Sequence, residues 1–377
     1  MSQKRKIQVP LLDIPASYKE ILADVESNIN EIIQSGRFIL GPIVEELEEK
    51  IAAYCGTKYA VGVSSGTDAL LISLMAAEIG EGNEVITTPF TFFATAGSIA
   101  RLGARPVFVD IERETFNIDP SQIEKNITNK TRAIIPVHLY GQSTNMDPVL
   151  ELAKKHNLVV IEDAAQAIGS EYKGKRAGSM GDYGCFSFFP TKNLGGFGDG
   201  GMVTMASEKT YEQVKTLRVH GSNRKYYHKA IGGNFRLDTI QAGIVLAKLK
   251  YLDRWIGERM KNAQTYNRLF KEMKVTDRLI LPSEVFSRHV YNQYVVRVKK
   301  NRDELRRFLE KNNIATEIYY PRSLHLQECF AFLGYKNDDF PESEKAANET
   351  IALPIFPEMT EEQLNYVVKM IVQFMEG

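Results

Sequence analysis

The sequence predicts an α/β protein: a large domain on a mostly parallel, seven-stranded sheet flanked by helices, then a smaller C-terminal α+β domain. Three observations carry this prediction. Short apolar runs alternate with helical patterns through the first two thirds of the chain, which is the signature of a sheet with crossover helices. Several runs are continuously apolar, as strands covered on both faces must be. After about residue 240 the texture changes to long helical patterns and a single alternating strand.

The candidate strands, in order, are YAVGVSS (59–65), NEVITTP (83–89), RPVFVDI (105–111), TRAIIPVHLYG (131–141), LVVIEDA (158–164), GCFSFF (184–189) and GMVTMA (201–206). Between them, TDALLISLMAAEI (67–79) and MDPVLELAKKHN (146–157) place apolar residues at helical spacing. Connections of this kind are right-handed crossovers between parallel strands. Beyond them one long helical pattern runs from RLDTIQAGIVLAKLKYLDRW through ERMKNAQTYNRLFKEM. VYNQYVVRVK (290–299) alternates as a strand, and DELRRFLEKNN and TEEQLNYVVKMIVQFM read as helices. The expected division is residues 1–245 for the large domain with its N-terminal segment and 246–377 for the small one. A chain of 377 residues is long enough for two cores.

Composition narrows the function classes. Lys+Arg and Asp+Glu stand at 47 each, so bulk charge draws the chain to neither nucleic acid nor an anionic membrane. Cys55, Cys185 and Cys329 are odd in number and far apart, with no C-x-x-C, which argues against a disulfide framework or a zinc knuckle. The six histidines form no metal-binding spacing, so no metal is expected. The start, MSQKRKIQVPLLDIP, lacks an uninterrupted apolar segment, and no stretch approaches the length of a membrane span. A cytoplasmic protein is the expectation.

Four local signals point to chemistry, each beside a plainer alternative. Asp163 follows an apolar run directly, at the carboxyl end of a buried strand, where open α/β sheets place their ligands. The alternative is a carboxylate that caps the next helix. Lys192 follows a strand and a proline and is itself followed by small residues. Desolvated there, its amine would be neutral and nucleophilic; most lysines are only solvated charge. A reactive lysine paired with an acid at a neighbouring strand end suits pyridoxal phosphate, whose aldehyde and ring nitrogen need those two partners. In SSGTDAL (64–70) a strand runs into small residues and a helix opens. Its free N–H groups would suit a phosphate, or Ser and Thr would simply cap the helix. In PFTFF (89–93) a ring, Phe92 by preference, could cover a flat cofactor or only pack the core.

One apparent motif fails its context. Gly196, Gly198 and Gly201 spell G-x-G-x-x-G, the dinucleotide fingerprint. That fingerprint follows a first strand and opens a helix. Here it leads into GMVTMA, a strand, so the pattern is read as coincidence within a glycine-rich turn.

The signals in this order resemble a known family. SSGTDALLISLMA, PFTFFATAGSIARLGARPVFVDI, VIEDAAQAIGSEYKGKRAGSMGDYGCFSFFPTKNLGGFGDGGM and IGGNFRLDTIQAGI are similar to the DegT/StrS-type nucleotide-sugar aminotransferases. The likeness runs from GRFILGP (36–42) through YYPRSLHLQ (319–327) to ALPIFPEM (352–359). It implies the PLP-dependent transferase fold, fold type I, with pyridoxal 5'-phosphate cycling through its aminated (PMP) form. By position, Lys192 matches the family's Schiff-base lysine and Asp163 the partner of the pyridine nitrogen. Gln166 matches the neighbour of the phenolic oxygen, Phe92 the stacking aromatic, and Ser65, Gly66, Thr67 and Ser187 the phosphate cup. Asn234 matches a residue that reaches the phosphate of a neighbouring subunit, which implies a homodimer with shared active sites.

The resemblance further implies glutamate as amino donor and a nucleotide-linked keto sugar as acceptor. RLDTIQA (236–242), with Asp238, looks like members that aminate C3 of a 3-keto sugar. Tyr319 stands where members acting on UDP-linked uronic acids tend to have histidine, and Arg322-Ser323 departs from the commoner pattern there. The expected acceptor is a dTDP-3-keto-6-deoxyhexose, with a UDP-linked 3-keto or 4-keto sugar as the alternative. Tyr319, His325, Arg236 and Lys225 are the expected substrate contacts, and Arg218 is a further candidate for an anion. A PLP-dependent sugar dehydratase is disfavoured, because such members replace the lysine by histidine. A non-catalytic regulatory protein on the same fold is disfavoured because lysine and acid are both present.

Overall fold

The computed structural model describes residues 7–286 and 288–376. The basic start, Met1–Lys6, on which the reading of the N-terminus draws, lies outside the described residues. Three helices, α1 (Ile14–Tyr18), α2 (Leu22–Ser35) and α3 (Pro42–Cys55), precede the first strand. Strands and helices then alternate: β1 (Tyr59–Val63), α4 (Gly66–Ala76), β2 (Glu84–Thr87), α5 (Phe93–Arg101), β3 (Arg105–Phe108), β4 (Thr131–Ile134), α6 (Met146–His156), β5 (Val159–Asp163). A small hairpin, β6 (Glu171–Tyr172) and β7 (Lys175–Arg176), leads to β8 (Tyr183–Ser187) and β9 (Gly201–Met205). Next come α7 (Glu208–Arg218), the hairpin of β10 (Ser222–Arg224) and β11 (Tyr227–His228), and α8 (Thr239–Leu249). The C-terminal part holds α9 (Leu252–Glu272), β12 (Leu279–Ile280), β13 (Tyr294–Val298), α10 (Arg302–Lys311), α11 (Pro341–Glu349), β14 (Thr350–Leu353) and α12 (Glu361–Glu376).

The large sheet has the order β1-β9-β8-β5-β4-β2-β3. Only β9 runs against its neighbours, β1 and β8; the other pairs are parallel. Helices cover both faces. On one, Leu70, Ile72 and Leu74 of α4 and Val214 and Leu217 of α7 pack on Val61, Val85, Ile161 and Val203. On the other, α3 and α8 pack on Phe186 and Met202, while α6 packs on Ile86, Ile134 and Val160. Burial on both faces accounts for the unbroken apolar runs of the sequence.

Local chemistry sets the element ends. Gly41 at φ 102° and Pro42 open α3, and Gly56 at φ 75° closes it with its N–H on the Ala52 and Ala53 carbonyls. Ser65 caps α4, its side chain accepting from the Asp68 N–H. The run 131–141 makes a strand only to Ile134, because Pro136 has no N–H to continue a ladder. Residues 290–299 likewise form a strand only over Tyr294–Val298.

The long helical pattern is two helices, not one, broken at Lys250 and Tyr251. No Gly or Pro stands there. The expected boundary after residue 245 falls inside α8, whose Ala242, Val245 and Leu246 belong to the large-domain core. Leu252 and Ile256 of α9 are still in that core, whereas Ala263, Tyr266 and Phe270 pack in the C-terminal one with β12–β14, α10 and α12. The change of core therefore occurs partway along α9. Val9, from the N-terminal segment, joins the C-terminal core and bridges to Ile314. Among the described residues no helix is long and apolar enough to cross a membrane.

One buried ion pair ties the layers together. Arg218, at the end of α7, donates to the Glu48 carboxylate of α3 at 2.5 Å and to the Gly62 carbonyl of β1 at 3.2 Å. Glu48 also accepts the Gly62 N–H at 2.7 Å. This corrects Arg218 as a candidate anion contact: its charge is spent inside the fold. Burial raises the Glu48 carboxyl above its usual range, and the guanidinium opposes that rise. Arg218→Met would leave the carboxylate unpaired, so urea denaturation should show a loss of about 3–5 kcal/mol. Adding Glu48→Gln should recover part of that loss; no coupling between the two would refute the role assigned to the pair.

Candidate active site

A cavity of about 500 Å³ opens at the carboxyl ends of the parallel strands. Its wall includes Ser65, Gly66, Thr67, Phe92, Asp163, Gln166, Ser187, Lys192 and Tyr319. The structure thus gathers these sequence candidates, distant along the chain from Ser65 to Tyr319, into one site.

The carboxylate sits at the end of β5 and is 5% exposed. Thr95, in the first turn of α5, donates its hydroxyl to Asp163 Oδ2 at 2.7 Å, and Ala165 N–H donates to Oδ1 at 3.2 Å. Thr91 lies 3.0 Å from Thr95, hydroxyl to hydroxyl. Burial raises the Asp163 carboxyl, while Thr95, the Ala165 N–H and then Lys192 hold it down. The next residue back, Glu162, points to the other side of the strand. It accepts N–H groups of Gly178, Met180 and Gly181 and pairs with His138 Nε2 at 2.9 Å. His138 Nδ1 accepts the Thr144 N–H, which places the ring proton on Nε2.

Lys192 stands in the turn between β8 and β9, its N–H bonded to the Phe189 carbonyl at 2.9 Å. Burial pulls its amine down to about 8, with Asp163 acting in the opposite direction. The two groups therefore face each other across one cavity, each desolvated and each favouring the other's charged form.

Ser65, Gly66 and Thr67 form the start of α4, an eleven-residue helix whose free N–H groups face the cavity. Gly66 is required there by space: a Cβ would lie 2.7 Å from Ser187 Cβ of β8. Small residues from two elements thus leave a cradle that suits a phosphate at a helix N-terminus. Gln166 is clamped by accepting the Tyr140 N–H at 2.8 Å and donating to the Tyr320 hydroxyl at 3.1 Å. The Phe92 ring is 56% exposed and 6.1 Å from Tyr320. Tyr319 receives the Tyr140 hydroxyl on its carbonyl.

Four expected residues are not in the wall of this chain's cavity. His325 is 2% exposed and bonded to Glu344 at 3.1 Å, beside Phe340, so here it is a packing residue rather than a substrate contact. Its place in a run of apolar residues, Leu324-His325-Leu326, explains the inward turn. Arg236 bridges Val63 through its backbone. Asn234 and Lys225 are exposed, the latter in the β10–β11 hairpin.

Other residues in the wall or directly behind it were not singled out from the sequence. Thr95 lies one helical turn beyond Thr91 in a segment read only for its rings. Tyr320 and Gln293 enter from the C-terminal part, and Asp199 from the glycine turn. Tyr320, adjacent to Tyr319, could have been found by proximity; Gln293 could not.

The site's donor set fits pyridoxal phosphate: an amine near neutrality, a buried carboxylate for a ring nitrogen, a phosphate cradle, and an aromatic face. The chain matches the DegT/DnrJ/EryC1/StrS aminotransferase family over residues 19–372. It is 53% identical to the "Pleiotropic regulatory protein" of Geobacillus stearothermophilus, over 98% of this chain and 99% of that one. It is 41% identical to the dTDP-3-amino-3,6-dideoxy-alpha-D-galactopyranose transaminase of Aneurinibacillus thermoaerophilus, covering 97% and 99%. Against the UDP-2-acetamido-2-deoxy-3-oxo-D-glucuronate aminotransferase of Pseudomonas aeruginosa it is 40% identical, covering 93% and 95%. The crystal structure of S. venezuelae DesV, in complex with a ketimine intermediate, superposes with a TM-score of 0.94. That match has 39% identity and covers 98% of this chain and 99% of DesV. The Bacillus subtilis protein ntda, with bound cofactor PMP, matches at 0.93 and 31% identity, covering 100% and 87%. With the geometry of Lys192, Asp163 and the phosphate cradle in place, these likenesses show that the chain belongs to the DegT/DnrJ/EryC1/StrS aminotransferase family.

Proposed function

We propose that the chain moves an amino group from glutamate to C3 of a nucleotide-linked keto sugar, preferring a dTDP-3-keto-6-deoxyhexose, as a cytoplasmic homodimer that uses pyridoxal phosphate. The observation that carries this is the opposition of the desolvated Lys192 amine and the Thr95-held Asp163 carboxylate across one cavity. When bound, the cofactor supplies an electron sink for charge developing at the amino-bearing carbon. Asp163 would hold a proton on the ring nitrogen, and that positive charge would in turn keep the buried carboxyl ionised. Ser65, Gly66, Thr67 and Ser187 would seat the phosphate, Gln166 would orient the ring's phenolic edge, and Phe92 would cover its face. Lys192 Nζ, as free base, would take the α-proton of glutamate and later return a proton to the sugar carbon that receives the amine.

Asn234 and Lys225 are exposed and outside this chain's cavity, which supports their reaching a neighbouring subunit's site. Arg236, half-buried and likewise outside this cavity, remains a proposed anion contact. The dTDP reading leans on the Aneurinibacillus relative and on Tyr319, which stands where a histidine is expected for uronic acids. The Pseudomonas relative favours a UDP-linked 3-keto sugar instead. The Geobacillus relative's name favours a regulatory role; a purely regulatory chain has no need of a desolvated lysine opposite a buried acid.

Purified protein loaded with pyridoxal phosphate should absorb visible light and lose that band on adding glutamate. Lys192→Ala should abolish the band and cut multiple-turnover amination by about a thousandfold or more; full turnover in that variant would defeat the proposal. Mass spectrometry over dTDP- and UDP-linked 3-keto and 4-keto hexoses should find the amino product with a dTDP-linked 3-keto sugar. Amination of UDP-linked sugars alone would select the second reading.

Capture of the cofactor requires the neutral Lys192 amine, so its rate should rise with pH and level off above about 8, not near 10.5. Asp163 favours the ammonium, so Asp163→Asn should move that midpoint lower. A midpoint that rises in this variant would contradict the electrostatic coupling.

A further inference from the structure

The turn that carries Lys192 is gripped from behind by one helix. Gln241 and Lys248 both lie on α8, seven residues apart, so two helical turns bring them to the same face. Gln241 Oε1 accepts the Phe197 N–H at 2.8 Å. Its amide lies so close that a Cβ on Gly196 would sit 2.7 Å from Oε1, and one on Gly198 3.0 Å from Nε2. Lys248 is 4% exposed and donates its ammonium to the Gly195 carbonyl. The rings of Tyr18, Trp255 and Phe197 surround that ammonium at 4.9, 5.8 and 6.0 Å.

A buried ammonium is costly to keep unless its surroundings use the charge. Here one carbonyl and three ring faces do so. Among the described residues no acidic side chain pairs with it, and burial pulls its amine down to about 8. The carbonyl it holds is three residues from Lys192, and the same small cavity is lined by Thr191, Lys192, Asn193 and Lys248. Asn193 adds a third tie, from its side-chain amide to the Val290 carbonyl at 3.0 Å. The glycines let the turn come this close.

We propose that Lys248 and Gln241 are positioning residues for Lys192: their two bonds to the Gly195–Phe197 backbone hold the turn so that the reactive amine keeps one path into the cavity. The inference rests on Lys192 being the reacting lysine. A small displacement of a reacting group costs rate steeply, while substrate affinity, set elsewhere in the cavity, is untouched.

The test uses Lys248→Met, Lys248→Arg and Gln241→Leu in the holoenzyme, with thermal melting to establish folding. Hydrogen exchange of the 194–198 segment should accelerate about tenfold in the Met and Leu variants. Their kcat for amine transfer should fall about tenfold or more, with KM for the nucleotide sugar within twofold. Arginine at 248 can still donate to the Gly195 carbonyl, so it should restore most of both properties. If Lys248→Met does not fold, Gln241→Leu decides, because it leaves the buried ammonium in place. Unchanged exchange and kcat, a loss confined to KM, or an arginine variant no better than methionine would overturn the proposal. Exchange is read whether or not Lys192 reacts. Turnover by Lys192→Ala would therefore sink the proposed function while accelerated exchange would leave the clasp standing.

Discussion

An amine kept out of bulk water, facing a carboxylate that is also kept out of it, is the constraint around which this molecule is arranged. Neither charge is comfortable alone in such a place. Asp163 is made tolerable by the Thr95 hydroxyl and a backbone N–H, and Lys192 by a pKa drawn down to about 8. Their mutual attraction then acts at low dielectric, where it is stronger than at a surface. A flat, charged cofactor placed between them would replace that direct interaction with two complementary ones.

Meeting this constraint takes elements from all parts of the chain. β5 delivers the acid to the sheet edge, and α5 approaches from the side to supply Thr95. The β8–β9 turn delivers the lysine, and α4 starts at the same edge, with Gly66 against Ser187. The C-terminal part closes the cavity with Gln293, Tyr319 and Tyr320. Tyr140 links both sides, its N–H on Gln166 and its hydroxyl on the Tyr319 carbonyl. The site lies between two cores, and α9 contributes to both.

The glycine turn shows how the same letters serve a different purpose from the one they spell. Gly195, Gly196, Gly198 and Gly201 each have protein atoms within 3.0 Å of where a Cβ would be. Backbone, a glutamine amide and the preceding strand occupy that space. The apparent nucleotide pattern is thus a packing requirement of the turn that carries Lys192, into which neighbouring atoms press from several directions.

Much was legible in the sequence because it rests on local periodicity and order. Unbroken apolar runs mark strands buried on both faces, and Asp163, Lys192 and the Ser65–Thr67 cradle can be found because each follows such a run. What local pattern does not carry is the direction in which a side chain points once distant elements meet. His325 turns into the protein toward Glu344, and Arg218 spends its charge on Glu48. Thr95 reaches Asp163 across 68 positions, and Lys248 reaches the Gly195 carbonyl across 53. The break at Lys250 likewise leaves no mark in the sequence, since no helix-breaking residue stands there. Periodicity is a property of neighbours along the chain; desolvation, pairing and the grip on Lys192 are properties of neighbours in space, and they exist only once the chain has folded.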